Sequence, residues 1–182
     1  MKKIIIALAL ILTSCTSTAP RMAQVELGSS DFSGRMDSEA HPAAGVSIVY
    51  GLGDSVSPNV ASDLGLQVTG GESTINGVEL ETKRAELTTG LRYFLSQGRL
   101  RPYLGAGLSL LYVDAQGPGG GQDTASDWSG GAYARLGVDY ALSDELRLGV
   151  DFRALRGASA DLGDERLDFD QDVLCLTLSW GF

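Results

Sequence analysis

The chain carries one histidine, His41, and any imidazole-based chemistry must be built on it. Ser38 and Ser47 are close in sequence, and a serine–histidine–carboxylate set would activate a hydroxyl for acyl transfer or hydrolysis. No motif for such a set accompanies them, and a single histidine in a polar stretch is expected to be solvated. A second group is acidic: Asp161, Asp164, Glu165, Asp168, Asp170 and Asp172. Carboxylate oxygens hold divalent cations, but the regular spacing of a dedicated calcium loop is missing. The run reads as a solvated acidic loop, and neither metal nor cofactor is expected. The glycines of residues 117–121 precede no helix and no Lys-Ser/Thr pair, which excludes a phosphate loop.

The third group is the most ordered. Glu86, Arg92, Arg101, Arg135, Asp139, Arg147, Asp151 and Arg153 fall on alternate positions of apolar segments. Period two is the signature of a strand, whose side chains point to opposite faces. These charges therefore share one face of a sheet, and the residues between them share the other. Opposite charges interleaved in this way pair into a salt-bridge and hydrogen-bond network that satisfies a polar interior.

Eight such segments run through the chain, and no helical periodicity interrupts them. Ala23, Val25 and Leu27 alternate with Gln24, Glu26 and Gly28. After a polar loop over residues 31–42, the second strand spans 44–52. A tight connection over 53–58 leads to a third strand at 60–68, in which Ser62 breaks an otherwise apolar face opposite Asp63 and Gln67. A polar loop over 70–83 precedes the fourth strand, 85–95. A turn at Ser96-Gln97-Gly98 opens the fifth strand, 100–112. The loop over 114–127 is glycine-rich. The sixth strand, 128–142, turns at Ser143-Asp144 into the seventh, 146–154. An acidic loop at about 157–170 leads to the last strand, VLCLTLSWGF. There Leu174, Leu176, Leu178, Trp180 and Phe182 share one face, and Cys175, Thr177, Ser179 and Gly181 the other.

With 182 residues the chain fits one domain. The net charge of −9 leaves no basic cluster for a nucleic acid. Half of the 24 glycines sit inside the alternating segments, which suits a tightly curved sheet. Lys2 and Lys3 followed by a short apolar run over 4–12 read as an export signal, too brief to span a bilayer. Leu12-Thr13-Ser14-Cys15 resembles the lipobox of bacterial lipoproteins, which implies residues 1–14 as signal, acylation of Cys15 and a short tether over 15–22. Cys175 then has no disulfide partner.

The last strand, ending on an aromatic residue, resembles the closing strand of bacterial outer-membrane barrels. Three short connections alternate with four longer ones, as in a membrane barrel. Over residues 23–182 the chain resembles the small eight-stranded outer-membrane barrels of the OmpA/OmpX type. The resemblance implies an all-β fold, an eight-stranded antiparallel up-and-down transmembrane β-barrel, in the outer membrane of a Gram-negative bacterium. The charge-free face would meet lipid, and the charged face would fill the lumen and leave no pore. Tyr50, Tyr93, Tyr140, Trp180 and Phe182 would form a periplasmic girdle, and Tyr112 and Trp128 an outer one. Phe182 would also be read by the barrel-assembly machinery. The expected role is structural or surface-exposed, without catalysis, as a monomer embedded in outer-membrane lipid. Two other readings exist: a periplasm-facing lipoprotein with a soluble, lipocalin-like barrel for a small apolar ligand, and a lipid-modifying enzyme. No motif of the palmitoyltransferase or lipid A deacylase barrels is visible.

Overall fold

A computed structural model describes residues 21–32, 40–52, 57–75, 78–116, 124–162 and 165–181. Its strands are β1 (Arg21–Phe32), β2 (His41–Gly51), β3 (Val60–Ile75), β4 (Val78–Phe94), β5 (Leu100–Gln116), β6 (Thr124–Ala141), β7 (Leu146–Arg156), β8 (Ser159–Leu162), β9 (Glu165–Asp168) and β10 (Gln171–Gly181). Eight of them close a barrel in the order β1-β10-β7-β6-β5-β4-β3-β2, and β8 and β9 form a separate hairpin. Every pairing is antiparallel. The last strand of the barrel pairs with the first, from Met22↔Gly181 to Phe32↔Gln171, so no edge is left open. In lipid that closure is obligatory, because no water is present to satisfy an unpaired backbone.

The alternation read from sequence is the alternation of burial. Gln24, Glu26, Asp63, Gln67, Glu86, Arg92, Arg135 and Asp151 are buried inside, whereas Leu27, Leu108, Trp128 and Leu176 are each at least 60% exposed outside. A soluble barrel does the reverse, and a continuous exposed apolar surface of this extent marks a membrane. The lipocalin-like reading needs an apolar interior, whereas among the described residues the charges point inward and the apolar side chains outward. Ser62 does not disturb β3. It faces outward and its hydroxyl donates to the Tyr50 carbonyl at 3.5 Å.

The short connections fall where the sequence put them, and the long ones do not. Arg21 and Met22 belong to β1 instead of a tether, and Asp31 and Phe32 extend it into the expected first loop. The expected loop over 70–83 is mostly strand, paired continuously from Thr69↔Arg84 to Ile75↔Val78. Likewise β5 and β6 stay paired out to Gln116↔Thr124. The region expected as a plain acidic loop contains the β8–β9 hairpin. These extensions run past the apolar rows of the outer face, although Thr82 and Ala115 on them are still buried. Apolar alternation disappears there, while cross-strand hydrogen bonding continues.

Candidate functional site

The lumen is where the chemically capable residues converge, and it is built in layers. At the short-turn end, Met22, Val49, Ala61, Phe94 and Tyr103 form a buried apolar cluster. Phe94 and Tyr103 meet edge-to-face with centroids 5.7 Å apart, and the Arg101 guanidinium lies 4.2 Å over the Phe94 ring. Arg101 also pairs with Asp139 at 3.2 Å.

The middle layer is a closed ionic network. Arg135 reaches Asp63 at 3.1 Å, Asp151 at 3.2 Å and Glu26 at 3.3 Å. Arg92 pairs with Asp63 at 2.7 Å and donates to Gln24 Oε1 at 2.8 Å. Two tyrosine hydroxyls complete the acceptors: Tyr133 donates to Asp63 Oδ1 at 2.8 Å and Tyr103 to Asp151 Oδ2 at 2.6 Å. Glycine makes room for these long side chains. A Cβ on Gly137 would lie 2.4 Å from the Tyr103 ring, and one on Gly105 2.8 Å from Arg135 Cγ.

Above it, Glu86 accepts from Arg153 at 2.6 Å, Gln171 at 2.7 Å and Ser109 at 2.7 Å. Arg153 donates to Gln67 as well. A second apolar cluster follows at the long-loop end: Leu111, Val113, Tyr133, Leu155, Ala158 and Phe169. Phe169 comes from the β9–β10 connection. Its backbone N–H donates to the Ala158 carbonyl at 2.8 Å, and its fully buried ring lies 5.3 Å from the Arg84 guanidinium. The connection thus folds a phenylalanine into the barrel mouth.

Of the eight charged residues singled out from sequence, Glu86, Arg92, Arg101, Arg135, Asp139, Asp151 and Arg153 enter these pairs. Arg147 lies at the short-turn rim and makes no ion pair with a described residue; its register partner is Ser179. The sequence reading left Glu26, Asp63, Arg84 and the tyrosines out of the network. The charges on β1 and β3 were legible, since period two places both inward. Phe169 carried no signal, being one apolar residue in an acidic stretch.

His41 is corrected too. It opens β2 and is 4% exposed, so it is buried and not solvated. Its Nδ1 packs on the β3 backbone, where a Cβ at Gly71 would come within 1.8 Å. Ser47 turns instead to Gln24 and Glu26, at 3.4 and 3.3 Å. Ser38 is outside the described residues. Two of the acidic residues act as structural acceptors: Asp172 pairs with Arg156 at 2.7 Å, and Asp170 accepts from the Gly157 N–H at 2.7 Å. Gly157 has φ of 77°, a left-handed conformation that glycine adopts without a Cβ penalty. No three-residue metal-ligand group occurs among the described residues. Cys175 is buried in the lumen, where its sulfur accepts from Gln67 at 3.8 Å.

On the outer face, Tyr93 and Tyr140 are each 48% exposed and Trp180 41%, all near the short turns beside the half-buried Tyr50. Tyr112 and Trp128 meet at the other rim with centroids 5.0 Å apart and planes tilted by 51°. Cys15, Phe182 and the export signal lie outside the described residues.

The sequence profile of the family described as "Outer membrane protein beta-barrel domain" matches residues 6–182. The chain belongs to the outer-membrane β-barrel family. It is a protein of the Gram-negative outer membrane, crossing it with strands. A comparison with curated protein sequences finds no match. Among solved structures the barrel is similar to Neisserial surface protein A, with 18% identity, 91% of this chain and 98% of that one covered, and a TM-score of 0.65. It is also similar to the attachment invasion locus protein Ail of Yersinia pestis, at 9% identity, 91% and 100% coverage and a TM-score of 0.59. The N-terminal barrel domain of Pseudomonas aeruginosa OprF matches at 15% identity, with 88% and 97% coverage and a TM-score of 0.55. At these identities the likeness concerns the fold.

Proposed function

We propose that the protein is a sealed, non-catalytic barrel that acts through the surface it displays, in adhesion or in maintaining the envelope. The observation that carries this is the layered lumen, ionic in the middle and capped at each end by an apolar cluster. Such an interior conducts nothing, which leaves the exterior to do the work. The exterior is lopsided. A strand needs about 9–11 residues to cross a bilayer; β1, β2, β7 and β10 have 11 or 12, whereas β3 to β6 have 16 to 18. At about 3.3 Å per residue, the surplus raises two neighbouring hairpins well above the membrane, a rigid wall for contact with another surface. Two of the similar structures are, by name, a surface protein and an attachment protein, which agrees with this reading.

In the same reading the barrel is a monomer, assembled by the barrel-assembly machinery that reads Phe182, with an acyl anchor on Cys15 beside β1. The test is a barrel with residues 73–80 removed, compared with deletion of the whole chain. Both should weaken adherence of cells to a matrix, or lower their resistance to detergent, to a similar degree. If deletion of the whole chain changes neither property, the proposal fails. Labelling with radioactive palmitate, lost in Cys15→Ala, tests the anchor separately.

A further inference from the structure

The short-turn mouth of the lumen carries three hydrogen-bond donors in one row that no described residue satisfies. Arg147 on β7, Ser179 on β10 and Gln24 on β1 are successive cross-strand partners on the inward face. Arg147 Nη1, Ser179 Oγ and Gln24 Nε2 are each buried, and each lacks a hydrogen-bond partner. Ser179 and Gln24 are both 1% exposed, and Arg147 is half-buried toward the rim. The Gln24 amide oxygen is taken by Arg92 at 2.8 Å and by Ser47 at 3.4 Å, so its N–H groups are the free end.

The charge of Arg147 is also uncompensated. Asp139 lies one row deeper on β6 and already faces Arg101 at 3.2 Å. Asp144 and Glu145 are exposed in the turn, and neither forms an ion pair with Arg147. Arg101 brings no relief, because the two guanidiniums are near enough to repel each other. A charge withdrawn from water without a partner is costly. The row therefore suits an occupant that is negative and accepts from all three donors. A water would accept from two of them and leave the charge standing. The deeper side is closed: a Cβ on Gly149 would lie 2.6 Å from Asp139 Oδ1 and 2.7 Å from Thr177 Oγ1. That floor limits the occupant to a small ion, and its carboxylate disfavours more than one negative charge.

We propose that this row binds one small monovalent anion, of chloride type, held by Arg147, Ser179 and Gln24 at the short-turn mouth. The ion is a fixed part of the wall. The ionic layer behind it still seals the lumen, and the site stands or falls independently of the adhesive role.

The test compares urea titrations of the micelle-refolded barrel in sodium chloride and in sodium gluconate of equal ionic strength. Gluconate is too large for the row, and the folded fraction is read by heat-modifiable gel mobility. Chloride should raise the folding equilibrium constant about tenfold, the linkage expected of a free ion at about ten times its dissociation constant. Arg147→Gln should abolish that gain. Ser179→Ala keeps the charge and should cut the gain severalfold, which also serves if Arg147→Gln does not fold. Crystals soaked in bromide should show an anomalous peak in contact with Arg147 Nη1 and Ser179 Oγ. Equal stability of the parent in the two salts overturns the proposal. A chloride gain that survives both substitutions is a general salt effect and overturns it too, as does the lack of a bromide peak on the row.

Discussion

Arg135→Met is the sharpest test of the lumen. The guanidinium is 3% exposed and touches three carboxylates, those of Glu26, Asp63 and Asp151, within 3.1–3.3 Å. After the substitution Asp63 keeps Arg92 at 2.7 Å and the Tyr133 hydroxyl, and Asp151 keeps Tyr103. Glu26 keeps little more than the Ser47 hydroxyl at 3.3 Å. Removing one partner of a buried ion pair costs about 3–5 kcal/mol, because the other charge stays buried. That is a large share of the roughly 5–15 kcal/mol that holds a typical protein folded. The cost should fall mainly on Glu26 and Asp151. Adding Glu26→Gln and Asp151→Asn to Arg135→Met should therefore recover about 2 kcal/mol or more, although the triple variant has lost more polar contacts. The assay is urea titration of micelle-refolded protein, with folded and unfolded fractions separated by heat-modifiable gel mobility. A single variant within about 1 kcal/mol of the parent, or a triple variant no more stable than the single one, would refute the account.

Other perturbations reach the remaining layers. Phe169→Ala should cost about 3–5 kcal/mol in the same titration, the value for a large aromatic removed from a packed site, and a change near zero would mean that the connection does not cap the mouth. Tyr103→Phe should cost about 1–3 kcal/mol by depriving Asp151 Oδ2 of its donor, while Arg135 keeps Oδ1. Leu108→Arg, on the lipid face, should destabilise by about 2–4 kcal/mol if it lies at the midplane, whereas a soluble barrel would tolerate it. Planar-bilayer recordings of the parent should show no stable unitary currents, and regular conductance steps would contradict the sealed lumen.

Much of this protein was legible from residue order. The alternation in Leu100 to Tyr112 and Leu174 to Trp180 determined the strands and their two faces, since period two is a local property of extended backbone. Assigning the charge-free face to lipid needed only the cost of a charge in hydrocarbon. The aromatic positions gave an expectation for the two rims. Three things were decided by tertiary structure alone. Where the hairpins end depended on cross-strand bonding at Thr69↔Arg84 and beyond, which persists after the membrane stops selecting apolar residues. Which charges meet depended on the stagger of closure, which brings Asp63 to Arg135 across 72 positions of sequence. Phe169 became a cap because a loop folded inward, and His41 became buried because β3 extended past it. Local sequence encodes the direction in which a side chain points. What it meets there is determined by how the sheet closes, because the neighbour comes from a distant part of the chain.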